Sequence, residues 1–259
     1  MRKLLFVLMD GLRTDALEAA HTPAVDQLIQ HGSYWPDVQS VVPPLTLPAH
    51  FSIFSSQAPY SHGVTCNTAH PNPSAHCANL FHLVKLHQGR TAAFYSWEHL
   101  RNLGPADSLD HSYYLRVKNK ADLMELARSA LSHLESRRPD FCFVYLEWTD
   151  IVGHEKGWMS GEYLQAVEDC DEALSLFLPL LTNDPAPYTL VLGSDHGGEG
   201  SHHQSPSPSV SRVPLAMAGP GISQGTPPAH PVSLLDIAPT LAVCMGIRPH
   251  FAWEGNPLV

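Results

Sequence analysis

Apolar runs recur at 3–9, 91–96, 140–147, 187–193 and 213–218, each short enough for a buried strand and separated from the next by turns or helical patterns. Strands that are apolar on both faces and alternate with helices imply an α/β fold, a largely parallel central sheet with helices on both faces. Helical patterns lie at 22–31, 46–56, 78–88, 119–135 and 160–182. In the first, Thr22 stands at the N-cap position before Pro23. A further apolar segment, 233–245, starts on Ser233 and ends before Gly246, with Pro239 expected to kink it. In sheets of this class reactive groups collect at the carboxyl ends of strands, and Asp10, Asp150 and Asp195 all fall there.

A chain of 259 residues can bury a large core, and it reads as one domain over 1–259, with a small cap or lobe expected within 68–118, chiefly over 98–118. Segments 66–79, 204–212 and 219–231 read as loops, the first of them near the site. A net charge of −10, with no Lys/Arg cluster beyond pairs such as Arg137-Arg138, argues against a nucleic-acid polymer as partner and leaves a small anionic substrate open. The LLFVLM run is too short for a signal-peptide core, and no run approaches the roughly 20 apolar residues of a membrane span. No membrane association is expected. The five cysteines are odd in number and form no CxxC pair, which suggests free thiols and a cytoplasmic location.

Against this frame the oxygen and imidazole side chains stand out. Asp10 lies in LLFVLMDG, Asp150 and His154 in YLEWTDIVGH, Asp195 and His196 in VLGSDHGG, and His202-His203 follows. Such donors suit zinc or a similar divalent ion, and their mixture leaves manganese or iron open. Glycines beside them allow close backbone approach, with Gly153 expected to make a tight turn before His154. Thr46, in PPLTLPAH, adds a hydroxyl that becomes a nucleophile when a metal lowers its pKa. The pattern over 46–56 sets that hydroxyl at a helix N-terminus, where a phosphoryl oxygen is also favoured. Taken singly, each Asp-Gly or His-Gly is an ordinary turn and Thr46 an ordinary N-cap. Jointly they read as a two-metal hydrolase.

Most of the 17 histidines have other roles. His82 and His87 fall on an amphipathic pattern, and His50 and His62 read as structural groups bonding loop backbone near the site. Arg13 either buttresses Asp10 or faces solvent. Tyr60, Trp97, Glu98, Lys156 and Trp158 are candidates for lining a substrate pocket, whereas Trp148 reads as core within an apolar strand.

The fragments MDGLR (9–13), PPLTLPAHFS (43–52), YSHGVTCN (60–67), DIVGH (150–154), SDHGG (194–198) and AGPGI (218–222) resemble, in order, those of the alkaline phosphatase superfamily on its nucleotide pyrophosphatase/phosphodiesterase branch. The resemblance implies an alkaline-phosphatase-like core and two zinc ions. One would be held by Asp150, His154 and a late histidine, for which His203 is preferred to His202. The other would be held by Asp10, Asp195, His196 and the oxygen of Thr46. It also implies that Asn67, 21 positions after Thr46, donates to a non-bridging phosphoryl oxygen, and that turnover passes through a phosphothreonine. The sulfatase pattern Cys-x-Pro-x-Arg is absent around position 46. A small phosphate ester is the expected substrate, most of all a diester. Alternatives are a phosphonate such as phosphonoacetate, whose carboxylate Lys118, Lys120 or Lys156 would hold, and a phosphomonoester. A non-catalytic binding module would have to have lost a ligand, and none is lost.

Overall fold

The computed structural model describes residues 1–74, 77–182, 186–225 and 231–259. Its strands are β1 (Lys3–Met9), β2 (Gly32–Gln39), β3 (Thr91–Tyr95), β4 (His111–Tyr114), β5 (Phe141–Leu146), β6 (Tyr188–Gly193), β7 (Arg212–Ala218) and β8 (Val232–Ser233). They form an eight-stranded sheet in the order β4-β3-β5-β1-β6-β7-β2-β8. The sheet is parallel except for the pairings of β7 with β6 and β2. The helices are α1 (Thr14–Ala19), α2 (Pro23–Gln30), α3 (Thr46–Ser55), α4 (Pro59–His62), α5 (Leu80–Leu86), α6 (Lys120–Arg137), α7 (Trp148–Lys156), α8 (Gly161–Ser175), α9 (Pro208–Ser211) and α10 (Ile237–Met245).

The central strand shows why the sheet is covered on both faces. Leu4, Phe6 and Leu8 enter one core, with Phe54 of α3, Phe81 of α5 and Leu241 of α10. Leu5, Val7 and Met9 enter the other, with Leu28 of α2, Leu126 of α6 and Val167 of α8. Each of these six β1 side chains is fully buried, worth roughly 1.5–3 kcal/mol apiece in apolar transfer.

Several elements differ from the sequence expectation. Strand β2 (GSYWPDVQ) carries no clean alternation, because its ladder to β7 slips between Trp35 and Val38, across Pro36. A bulge is where a residue without an N–H is tolerated. The helix expected over 160–182 stops at Ser175 and gives way to a 3-10 turn, Leu178–Leu181, with Pro179 in its first turn. Thr22 makes no side-chain cap to α2. Instead the Asp171 carboxylate of α8 accepts from the N–H groups of Ala24 and Val25 at 3.0 and 2.8 Å. Pro239 does not kink a helix, because a 3-10 turn capped by a Ser233–Asp236 box leads into α10 and leaves the proline in its first turn. Part of 98–118 is β4, which pairs with β3 at the sheet edge. The segment 204–212 contains α9, while residues 75–76 and 226–230 of the other two expected loops lie outside the described residues.

Candidate metal centre

The carboxyl ends of β1, β5 and β6 deliver the acidic residues. Asp10 and Gly11 leave β1 in a turn that needs glycine, since Gly11 has φ +67° and an added Cβ would lie 3.2 Å from Asp150 Oδ1. Asp150 and His154 are not in a strand-end turn. They lie on α7 one helical turn apart, which puts both on one face. Gly153, expected to make a tight turn, is helical, and an added Cβ would meet the Trp158 ring at 2.7 Å.

Asp150, His154 and His203 bring one donor atom each within 4.8 Å of one another, and so do Asp10, Asp150 and His196. Asp195 joins the second group, its Oδ2 lying 3.4 Å from His196 Nε2. Thr46 is the first residue of α3 and is buried, its Oγ1 3.3 Å from His196 Nε2. His203 stacks on His196 with centroids 3.7 Å apart, and its Nε2 lies 3.9 Å from Asp150 Oδ1. His202 is exposed in a turn beside Ser201. The cluster therefore contains His203 and not His202. Asn67 reaches α3 through Oδ1, which accepts from Leu47 N at 2.9 Å and leaves the amide N–H groups for a ligand.

Two observations test whether these residues fit a metal. First, His154, His196 and His203 each bond a backbone carbonyl through Nδ1, of Ser201, Gly197 and Pro44, at 2.8–2.9 Å. With Nδ1 donating, Nε2 carries the lone pair, and all three Nε2 atoms approach the carboxylates. Second, Asp10 Oδ1, Asp150 Oδ1 and Asp195 Oδ2 are buried without a hydrogen-bond partner. Among the described residues no Lys or Arg pairs with them; their ionic neighbours are histidines. Burial, and then neighbouring carboxylates, push Asp10 and Asp150 well above the usual carboxylate range, and burial pushes Asp195 up to about 7. Burial holds His203 down at about 3 and lowers His196. Acids that resist ionising beside imidazoles that resist protonating are what divalent cations resolve, and the residues fit such ions.

Other expected groups find definite places. Arg13 donates to Gly198 O at 2.9 Å and pairs with Asp15, so it ties the β1 and β6 loops together and does not touch Asp10. His50 is fully buried, with Nδ1 2.7 Å from Thr46 O, and His62 Nε2 lies 3.0 Å from Ser52 Oγ. His50 Nδ1 also lies 3.6 Å from Asp195 Oδ2, and His62 Nδ1 accepts from Val64 N at 3.1 Å. Trp158 is buried, donates to Gly11 O at 2.8 Å and lies with its ring centroid 5.0 Å from that of His154 and 6.0 Å from that of His203. Trp148 lies on α7, half-buried, and donates to Asp169. Trp97 and Glu98 border a cavity of about 460 Å³ that also meets Arg116, Lys118 and Glu147. Ser96 and Glu147 of its wall directly follow β3 and β5, on the metal-cluster end of the sheet.

Sequence reasoning missed the residues that clamp the cluster. Tyr145 donates its hydroxyl to Asp10 Oδ2, Thr149 to Asp10 O and Ser40 to Asp195 O. Tyr145 is the penultimate residue of a fully buried strand, where a phenol demands a partner, and that was its only signal.

Residues 4–207 match the model of the type I phosphodiesterase / nucleotide pyrophosphatase family. Venom phosphodiesterase 2 of Crotalus adamanteus is 26% identical over 76% of this chain and 27% of its own length. Ectonucleotide pyrophosphatase/phosphodiesterase family member 3 of Mus musculus is 24% identical over 73% of this chain and 24% of its own. The chain thus spans about a quarter of the length of these curated relatives. Among solved structures, human ectonucleotide pyrophosphatase / phosphodiesterase 5 superposes with a TM-score of 0.80 at 14% identity, covering 99% of this chain and 97% of that one. A 2-O GAG sulfatase also reaches 0.80, at 17% identity, over 99% of this chain and 73% of its own. The fold is therefore that of the alkaline phosphatase superfamily, and the chain belongs to its type I phosphodiesterase / nucleotide pyrophosphatase family.

Proposed function

We propose that the protein is a two-metal hydrolase of small phosphate diesters or pyrophosphates, with Thr46 as nucleophile. The observation that carries this reading is the position of Thr46 Oγ1, at the N-terminus of α3 and 3.3 Å from His196 Nε2, beside unpartnered buried carboxylate oxygens. Asp150, His154 and His203 would hold one divalent ion, and Asp10, Asp195, His196 and Thr46 the other, zinc being the ion the donors suit best. Such ions supply charge neutralisation and a lowered hydroxyl pKa.

The chain's own residues do the rest. In the first turn of α3, Leu47 N bonds Asn67, Pro48 has no N–H and Ala49 N bonds Leu45 O, which leaves over the Thr46 N–H. That N–H and the Asn67 amide donate to non-bridging oxygens, where charge develops. The Thr46 oxygen attacks phosphorus in line. A bond from Oγ1 to phosphorus forms as the bond to the leaving oxygen breaks. Water then cleaves the phosphothreonine, returning the hydroxyl and releasing the phosphate product. The non-reacting part of the substrate would enter the cavity beside Trp97 and Glu147. A murine relative, ectonucleotide pyrophosphatase / phosphodiesterase 5, has been solved as an inactive threonine-to-alanine variant in complex with AMP, which supports both the nucleophile and a phosphate ester as ligand. The cytoplasm remains our proposed compartment, resting on cysteines that are all unpaired. Among the described residues no helix is long and apolar enough to cross a membrane.

One observation favours a second reading. Lys118 and Arg116 both line the cavity, whereas Lys120 is engaged by Asp169 and Glu172 and Lys156 lies outside it. A substrate with a second anionic group, such as phosphonoacetate, would suit that wall. The test is the initial rate of zinc-loaded protein on bis-(4-nitrophenyl) phosphate, 4-nitrophenyl phosphate and phosphonoacetate, beside Thr46→Ala. We expect diester preference and a loss of roughly a thousandfold or more in Thr46→Ala with zinc still bound. Preference for the monoester or phosphonate would overturn the substrate class. Undiminished turnover in Thr46→Ala would overturn the nucleophile.

A further inference from the structure

A second polar groove lies at the sheet edge, away from the metal cluster. It is bounded by β4 and α6 and has a volume of about 650 Å³. His111 opens β4 at the amino end of the parallel strands, and Arg137 closes α6 as that helix returns toward the start of β5. In a chain of net charge −10, this groove gathers His111, Arg128, His133 and Arg137 against a single carboxylate, Glu125. Among the described residues Arg128 and Arg137 form no ion pair. Of the neighbouring cations, Lys85 pairs with Asp110 and Lys120 with Asp169 and Glu172, while Arg90 donates to the Arg138 carbonyl at 2.9 Å.

The two imidazoles stack with centroids 4.1 Å apart and planes 20° from parallel. Phe94 packs against both, at 5.3 and 5.5 Å. Neither ring hydrogen-bonds to a described residue, so their nitrogens are free for a ligand. Parallel rings do not converge on one point, which disfavours a chelated metal. Two stacked imidazolium ions would repel each other, and an anion lying across their edges removes that repulsion. Ser129, Ser132 and Ser136 add hydroxyls along the same face of α6, Ser136 donating to Ser132 O at 2.7 Å.

We propose that this groove is an anion site, separate from the hydrolytic centre, that takes a phosphate group as its dianion. Phosphate offers the charge and the several acceptor oxygens that two guanidinium groups, two imidazoles and a row of hydroxyls require. Binding takes up protons, so it tightens as pH falls. Burial, and then Arg137, hold His111 below its usual range; burial, and then His111, Arg137 and Arg90, do so for His133. The remaining charged or titratable groups facing the pair are Glu125, Arg128 and Tyr113.

The experiment follows the His111 and His133 ring-proton signals of the zinc-loaded full chain by NMR, with inorganic phosphate as probe, at about pH 6 and about pH 8. These signals report the groove and not the metal centre. We expect saturable shifts with apparent affinity several-fold or more tighter at the lower pH. Arg128→Ala and Arg137→Ala should each weaken binding by about tenfold. Phenyl phosphate is run in parallel. Binding of phenyl phosphate as tight as that of phosphate identifies the phosphate of an ester as a ligand, and its exclusion identifies the free ion; either upholds the site. Shifts no larger than those from chloride at equal ionic strength would overturn it. So would shifts that persist unchanged in the double variant Arg128→Ala/Arg137→Ala while its melting temperature stays that of the parent.

Discussion

Replacing Gly153 by alanine should destabilise the protein while Trp158 is present and stabilise it once Trp158 is removed. Gly153 lies within α7 between Asp150 and His154, and an added Cβ would sit 2.7–2.9 Å from three atoms of the Trp158 ring. That ring is buried and is closed in on another side by Gly198, where an added Cβ would come within 2.1 Å. The ring cannot retreat, so the extra methyl costs about 1–3 kcal/mol of overpacking. Helix propensity opposes this, because alanine gains roughly 0.5–1 kcal/mol over glycine within a helix. The net for Gly153→Ala is a loss of about 1–2 kcal/mol. Trp158→Ala alone costs about 3–5 kcal/mol. In that background the clash is gone and only the propensity gain remains. The cycle of single and double variants, read by urea denaturation, should give a coupling of about 1–3 kcal/mol. At roughly 2–4 °C per kcal/mol it is also visible in thermal melts. If Gly153→Ala has the same sign and size in both backgrounds, the glycine is not there to admit the indole, and the account of how α7 is seated under the cluster fails.

Three further outcomes are expected. Tyr145→Phe should lower zinc affinity by about 10–100-fold in a chelator competition assay, because Asp10 loses the hydroxyl that orients it; unchanged affinity would refute that role. Chelating the metal should lower the melting temperature, with the shift recovering on zinc addition in proportion to ligand mass action, and a melting temperature indifferent to zinc would contradict the reading of the buried carboxylates. Burial pushes Glu147 up to about 7 from an ordinary 4.5, so its contribution is fully present below about pH 4.5 and is lost as pH rises through 7. Glu147→Gln should therefore gain up to roughly 3 kcal/mol in stability at about pH 8 relative to pH 4.5, and parallel pH profiles for both proteins would count against it.

Legibility was uneven, for physical reasons. Strands buried on both faces, such as LLFVLM, announce themselves because every residue is apolar, and β1, β3, β5, β6 and β7 appear within a residue of their expected bounds. Strand β2 did not, because its bulge at Trp35–Val38 breaks the two-residue period and admits Pro36. Strand β4 did not, because an edge strand of four residues, HSYY, exposes alternate positions and carries little apolar signal. The helix N-cap expected at Thr22 was a fair local reading, but Asp171, 149 positions later, does the capping.

The candidate site divides in the same way. By itself the sequence determined that Asp10, Thr46, Asp150, His154, Asp195 and His196 follow strands or open helices in an order that suits one metal cluster, because ligand chemistry and strand periodicity are local properties. Only the tertiary structure decided between His202 and His203, since the choice rests on a stack against His196 and a bond to Pro44, 159 positions away. It alone turned Gly153 from a turn residue into a helical slot for Trp158, and put the Tyr145 hydroxyl on Asp10. These contacts join segments far apart in the chain. Their identity depends on which side chains the packed sheet brings within a few ångströms, and no local pattern encodes that distance.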